Sequence, residues 1–317
     1  MIYANHRIDG FIGYNIKIRK YNADRIILLT QVFTMFITTQ VPQDEQILKL
    51  VPIMAKASQI LLEEYQNYCD GQAFNIDRKD DQSPVTQADL RVNTYLIEQL
   101  AKMTPHLPVL SEESDNAERH TWDTCWMLDP LDGTKEFIHK RDEFTINLSL
   151  IENHQTLFSV IAVPTEQVMY LGYLTELPYK YSFVTERWER YNKFKETEQD
   201  AIQVGLSHSS KNPKYQQYID YLEQDNPVVR REAGSAYKFC MMLEGEIDIY
   251  PRFHPTSEWD TSAGQGLLES IGGGLLSLDA EPFIYNQRDT LLNAGFIAYR
   301  NADNKQLALD ALQNVSL

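Results

Sequence analysis

The segment Cys125-Trp126-Met127-Leu128-Asp129-Pro130-Leu131-Asp132-Gly133-Thr134 constrains the chain more than any other. An apolar run ends abruptly in an acidic turn. A short buried strand over Trp126 to Leu128 would project Asp129 and Asp132 from its end into a cleft. Close carboxylates repel at neutral pH, so they coexist only with a cation or a shared proton. The nearby donors are oxygens, and the expected cation is hard: Mg²⁺, or Mn²⁺ in its place. The turn at Gly133 and Thr134 points backbone N–H groups outward, and such groups cradle a phosphate. Together these features point to phosphoester hydrolysis. Two aspartates at this spacing are, taken alone, as compatible with a solvated surface turn.

Three further segments shift that balance. Pro108-Val109-Leu110-Ser111-Glu112-Glu113-Ser114 is an apolar strand ending in paired glutamates. Ser83-Pro84-Val85-Thr86-Gln87-Ala88-Asp89 opens a predicted helix, and Glu258-Trp259-Asp260-Thr261-Ser262-Ala263-Gly264 places an acidic residue at another helix start. In order, SPVTQAD, PVLSEES, WMLDPLDGTKEF, GSAYKFC and EWDTSAG resemble the inositol monophosphatase-like metal phosphatases, from about Gln46 to about Phe296. Within that superfamily the chain is most similar to the CysQ-type 3′(2′),5′-bisphosphate nucleotidases. GSAYKFC and Tyr250-Pro251-Arg252-Phe253 favour that branch over the inositol phosphatases.

The resemblance implies a layered αβαβα sandwich, an α+β half joined to an α/β half. It implies a magnesium-dependent enzyme, with two or three cations per site, that removes the 3′-phosphate of adenosine 3′,5′-bisphosphate in support of sulfate assimilation. Glu112, Asp129 and the Leu131 carbonyl would hold one cation, and Asp129, Asp132 and Asp260 a second. Glu112 and Thr134 would orient the attacking water and take its proton. Asp89 would lie just outside the metals, and the N–H groups of Gly133 and Thr134 would hold the phosphate. Ser235, Lys238 and Arg252 match family positions that contact the second phosphate and the sugar. Ser235 also reads as the N-cap of a helix from Ala236, with Lys238 one turn further on the same face. Trp259 reads as core packing, Glu113 equally as a site neighbour or a surface carboxylate, and Lys79 as a solvated lysine on a loop near the cleft. Two departures stand out. His254 occupies a position where the family usually has glycine, and the family's S-x-S-H segment appears as Leu206-Ser207-His208-Ser209-Ser210 with its histidine displaced.

Periodicity predicts a helix over Gln46–Tyr65, a helix over Asp89–Met103, then strands at Val109–Leu110, Cys125–Leu128, Thr145–Ile151, Leu157–Val163 and Val168–Tyr173. A polar stretch at Glu176–Asp200 divides this half (43–175) from a second (200–317). The second reads strand Ile202–Leu206, helix Pro213–Leu222, strand Val228–Arg231, helix Ala236–Leu243, strand Ile247–Tyr250 and helix Thr261–Ile271. Residues 1–42 read as an extension outside the fold, or as translated upstream sequence with Met35 as the start. Its apolar part, Ile26–Thr39, is too short and interrupted to span a bilayer and lacks a signal-peptide cleavage site.

The net charge of −16 disfavours long nucleic acids but not a small anion, whose field metals and a few local cations can reverse. Three scattered cysteines form neither a zinc pattern nor a disulfide framework, which suits a reducing cytoplasm, with peripheral contact at the inner membrane as the minority reading. The aspartyl-phosphatase D-x-D motif and the Walker G-x-x-x-x-G-K-[ST] are absent, and Gly264-Gln265-Gly266 lacks a third dinucleotide glycine. The nearest alternative is a phosphatase of inositol or small sugar phosphates. A non-catalytic nucleotide or metal sensor would not need the intact set Glu112, Asp129, Asp132, Thr134 and Asp260.

Overall fold

Two capped helices begin the described chain, which in this computed structural model comprises residues 41–79, 84–191 and 201–316. Helix α1 (Glu45–Cys69) starts where the Asp44 carboxylate accepts from the N–H groups of Gln46 and Ile47. A short hairpin, β1 (Ile76–Arg78) with β2 (Pro84–Thr86), leads into α2 (Gln87–Met103). Thr86 and Asp89 close a reciprocal capping box at the start of α2. The expectations for residues 1–40 lie outside the described residues.

The first sheet has seven strands in sequential order: β3 (Val109–Ser111), β4 (Thr124–Asp132), β5 (Thr145–Glu152), β6 (Gln155–Val163), β7 (Val168–Tyr173), β8 (Tyr179–Ser182) and β9 (Trp188–Arg190). Only the β3–β4 pair is parallel. Period-2 alternation sorts its side chains between two cores. In β6, Phe158, Val160 and Ala162 face α1 and α2, while Ile161 and Val163 face the second half of the molecule. The polar separator expected at Glu176–Asp200 is therefore partly sheet. Tyr179, Tyr181 and Trp188 bury their rings in the first core, and this aromatic burial outweighs the surrounding charges.

After the short helix α3 (Thr134–Ile138) and the first sheet, the chain builds a second sheet. Its strands are β10 (Ile202–Leu206), β11 (Val228–Glu232), β12 (Ile249–Arg252), β14 (Gly274–Ser277) and β16 (Phe296–Tyr299), in the order β11-β10-β12-β16-β14. A two-residue pairing joins β13 (Thr256–Ser257) and β15 (Leu292–Asn293). Helices α5 (Tyr237–Glu244) and α6 (Glu258–Glu269) lie between the two sheets: Phe239, Leu243, Ala263 and Leu267 share a core with Ile161 and Tyr170 on one side and Tyr250, Leu275 and Phe296 on the other. Helices α4 (Pro213–Leu222) and α7 (Ala302–Leu312) cover the outer face through Tyr218, Ile219, Ala308 and Ala311. The result is the αβαβα sandwich. Strands β14 and β16 and helix α7 have no counterpart in the sequence reading. No helix among the described residues is long and apolar enough to cross a membrane.

Candidate active site

The acidic turn is not the end of a strand but a bulge within one. Asp129 pairs with Asn147 and Asp132 with Thr145, so β4 uses one more residue than β5 over this stretch. In a regular strand, residues three apart point to opposite faces. The extra residue at Pro130-Leu131 cancels that, and both aspartates emerge on the same side. Asp129 is buried, and its Oδ1 accepts from the Leu131 N–H at 3.0 Å. Asp132 Oδ2 accepts from the Ala236 N–H at 2.6 Å and from Asn147 Nδ2 at 3.1 Å.

Two other elements deliver the remaining carboxylates. Strand β3 runs parallel to β4, so Glu112 leaves it at the same end, with its N–H bonded to the Leu128 carbonyl at 3.1 Å. Helix α6 begins at Glu258 rather than at the expected Thr261, because Ser257 and Asp260 form a capping box. Asp260 Oδ2 accepts from the Ser257 N–H at 3.1 Å and from the Thr256 hydroxyl. One oxygen from each of Asp129, Asp132 and Asp260 falls within 4.8 Å of the others.

This crowding displaces the carboxyl groups upward. Burial, then Glu112, Asp132 and Asp260, hold Asp129 well above the usual carboxylate range. Burial and Asp260 raise Asp132 to about 7, against the opposing bonds from Ala236 and Asn147 and the charge of Arg252. Burial raises Glu112 to about 8; Lys79 opposes this, while Asp260 and Glu113 add to it. Three carboxylate donors, Asp129 buried and Asp132 and Asp260 half-buried, with no thiol or imidazole among them, fit a hard divalent cation, which would relieve the repulsion.

Lys79 is not the solvated lysine expected from the sequence. Its ammonium lies 2.6 Å from Glu112 Oε1 and 2.5 Å from Glu113 Oε1, with the side chain 22% exposed. Burial lowers the Lys79 pKa, but the two glutamates outweigh it and leave the group above its ordinary value. Glu113 thus pairs with Lys79 beside the site.

Thr134 opens α3 directly after Gly133, which sits in the left-handed region at φ 93°. A Cβ at Gly133 would also approach Ser235 Cβ and the Glu143 carbonyl at 3.1 and 3.2 Å, so glycine is needed there on both counts. The Thr134 hydroxyl lies 3.2 Å from Asp89 Oδ1 and 3.2 Å from the Leu131 carbonyl. Asp89 is buried, with its other oxygen taken by the Thr86 N–H and hydroxyl at 2.8 and 2.6 Å. Burial raises Asp89 to about 6 despite those bonds.

A cleft of about 190 Å³ opens over these groups. Glu112, Asp132, Gly133 and Thr134 line one side, and Ser207, Ser209, Ser235, Arg252 and His254 are also in its wall. The chain thus brings Ser235 and Arg252 to the cleft as expected. Lys238 is different and calls for a correction. It is fully buried, and its ammonium donates to the carbonyls of Ala233 at 2.7 Å and Ser235 at 3.0 Å, 4.8 Å from the Tyr250 ring centroid. The i, i+3 spacing does align Ser235 and Lys238, but the left-handed backbone of Ser235 (φ 45°) turns its carbonyl to the lysine. Ser235 is not the helix cap either; Ala236 holds that position, although Ser235 Oγ accepts from the Tyr237 N–H at 3.2 Å. Trp259 packs beside Leu110, Cys125 and Met127, as core.

Some functional contacts escaped the sequence reading. Asn147 reaches Asp132 only because the bulge sets that register. Glu143 Oε2 accepts from the Gly234 N–H at 2.8 Å and contacts His208 Nε2 at 2.6 Å, while its carbonyl accepts from Ser235 Oγ at 2.9 Å. His208 therefore braces the 234–235 turn and does not line the cleft. A polar residue two positions before Thr145, itself opposite Asp132, was the available signal for Glu143.

The Inositol monophosphatase family model matches residues 43–316. The chain belongs to this family. It is 34% identical over 239 residues to the 3′(2′),5′-bisphosphate nucleotidase CysQ of Salmonella typhimurium, covering 73% of this chain and 91% of that one. The Escherichia coli K12 CysQ nucleotidase is 33% identical with the same coverage. Among solved structures, CysQ from Bacteroides thetaiotaomicron superposes with a TM-score of 0.67 at 32% identity, over 80% of this chain and 97% of that one. Inositol monophosphatase II from Staphylococcus aureus superposes with a TM-score of 0.66 at 17% identity over 83% and 91%, a likeness of fold alone. The family is metal-dependent, and this member carries an acidic cluster at Asp129, Asp132 and Asp260.

Proposed function

We propose that this chain is a Mg²⁺-dependent 3′(2′),5′-bisphosphate nucleotidase that hydrolyses adenosine 3′,5′-bisphosphate to AMP and phosphate. The observation that carries the reading is the convergence of Asp129, Asp132 and Asp260 within 4.8 Å beside Glu112 and a Thr134–Asp89 pair. The named relatives support the nucleotide as substrate.

Asp129, Asp132, Asp260, Glu112 and the Leu131 carbonyl are the groups that would hold Mg²⁺. Bound there, the ions supply Lewis-acid polarisation of the phosphoryl oxygens and charge neutralisation at the attacking and leaving oxygens. The protein's own contribution is orientation and proton handling. Asp89 fixes the Thr134 hydroxyl, leaving its oxygen to accept from a water in the cleft. Glu112, kept as a carboxylate by the cations and by Lys79 at 2.6 Å, would orient the attacking water and take its proton. The water oxygen gives up one proton as it bonds to phosphorus, the P–O3′ bond breaks, and the 3′-oxygen takes up one proton in exchange, so that AMP and hydrogen phosphate result. The first N–H groups of α3 lack intrahelical partners and would hold the transferred phosphate. Arg252 and Ser235, which share the cleft wall with Asp132 and Gly133, would meet the second phosphate and the sugar.

The test is phosphate release from adenosine 3′,5′-bisphosphate, its 5′-sulfated form and inositol 1-phosphate, with and without EDTA. The expected result is metal-dependent hydrolysis with the highest kcat/KM on a nucleotide. Equal or better kcat/KM on inositol 1-phosphate replaces the reading with a sugar-phosphate phosphatase, and full activity in EDTA rules out the metal.

A further inference from the structure

Among the described residues, His254 is the only histidine in the wall of the cleft. Its ring has a fixed hydrogen-bond polarity. Nδ1 lies 3.3 Å from the Pro255 carbonyl, an atom that can only accept, so Nδ1 carries the hydrogen. Burial, and then the charges of Arg252, Lys238 and Lys135, lower the ring pKa to about 4, so it is neutral at working pH. A neutral ring with its hydrogen on Nδ1 leaves Nε2 as a bare acceptor. That nitrogen is buried and has no hydrogen-bond partner among the described residues. Arg252 Nε, in the same wall, is likewise buried and unpartnered, but it is a donor. The wall therefore presents one unmet donor and one unmet acceptor. Buried polar groups are rarely left unpaired, so both atoms call for a partner that enters the cleft. A phosphate oxygen can satisfy Arg252 but, lacking a hydrogen, not His254 Nε2.

We propose that His254 is a specificity-determining residue whose Nε2 accepts a hydrogen bond from an O–H or N–H group of the substrate's nucleoside. The inference rests on the nucleotidase reading. Two groups of adenosine 3′,5′-bisphosphate carry that chemistry, the ribose 2′-hydroxyl and the exocyclic amine of the base. The 2′-deoxy analogue lacks the first, and the inosine analogue replaces the second with an acceptor.

The experiment measures kcat/KM of the full chain with Mg²⁺ on adenosine 3′,5′-bisphosphate, its 2′-deoxy analogue and inosine 3′,5′-bisphosphate. The same measurements follow for His254→Gly, His254→Phe and His254→Gln, with melting temperatures as a check on folding. Wild type should lose about tenfold to hundredfold on one of the two analogues, as expected when a buried acceptor goes unmet. Which analogue suffers identifies the donor. His254→Gly should bring that ratio to within about twofold by slowing the adenosine substrate alone, and His254→Gln, which keeps an acceptor, should restore part of it. The inference is overturned if wild type does not discriminate against either analogue, or if His254→Phe keeps the wild-type ratio, since the ring would then act only by its bulk. Hydrolysis of inositol 1-phosphate with no hydrolysis of any bisphosphate overturns the nucleotidase reading itself, and this inference with it.

Discussion

Replacing Asp132 with Asn should stabilise the cation-free protein while nearly abolishing turnover. Burial and Asp260 move the Asp132 carboxyl from its ordinary 3.8 to about 7. Keeping it charged above that pH costs roughly 4 kcal/mol, at about 1.4 kcal/mol per pH unit. Asp129 and Asp260 share that strain, so removing one charge should recover about 1–3 kcal/mol of it. Asn keeps the oxygen that accepts from Ala236 and Asn147, and its amide can donate to the neighbouring carboxylates. The sign follows from the raised folded pKa. The folded state binds more protons than the unfolded one between 3.8 and about 7, so wild-type stability falls as pH rises through that window. The advantage of Asp132→Asn should therefore be near zero at pH 4 and full at pH 8, where several degrees of melting temperature are expected in EDTA. Adding Mg²⁺ should reverse the order, because wild type gains more from binding. Turnover should fall by about two to four orders of magnitude. A lower melting temperature than wild type in EDTA at pH 8, or turnover within tenfold, would refute the reasoning.

Two further outcomes follow from the geometry. Thr134→Ala and Asp89→Asn should each lower kcat by about 10²–10⁴ with little change in KM, because they act on orientation of the water rather than on binding, and the double variant should fall little further; steady-state kinetics of the three proteins checks this. Lys238→Met should remove the support for the Ala233 and Ser235 carbonyls, costing about 1–3 kcal/mol. It should penalise nucleotide and inositol substrates alike, and a selective loss on the bisphosphate would show instead that the ammonium reaches the ligand.

The sequence carried the site's chemistry further than its geometry. Asp129, Asp132, Asp260 and Glu112 were legible because hard-cation chemistry needs carboxylates, and each sits at the end of an apolar run or at a helix start. What converts them into a cluster was not legible. The bulge at Pro130-Leu131 depends on pairing with β5, a partner that local pattern does not specify. Lys238 read as a ligand contact because it matches a family position for the second phosphate, and helical spacing adds only that it shares a face with Ser235, not the left-handed turn at Ser235 that bends a carbonyl beneath it. Lys79 read as solvated because its pairing with Glu112 and Glu113 is between residues distant in the sequence. Strands β8 and β9 were hidden by charged neighbours, since only alternate positions there meet the core.

The position of Asp260 has a consequence for how the protein assembles. Asp129 and Asp132 belong to the first sheet, whereas Asp260 arrives on a helix more than a hundred residues later, held between both sheets. A chain still emerging during synthesis can form the β4 turn with its two carboxylates but cannot complete the three-oxygen set. Tight cation capture by the three would thus wait until α6 has docked, and it would reward only the finished molecule. An ion held there would then be a late clasp between halves that were made at different times.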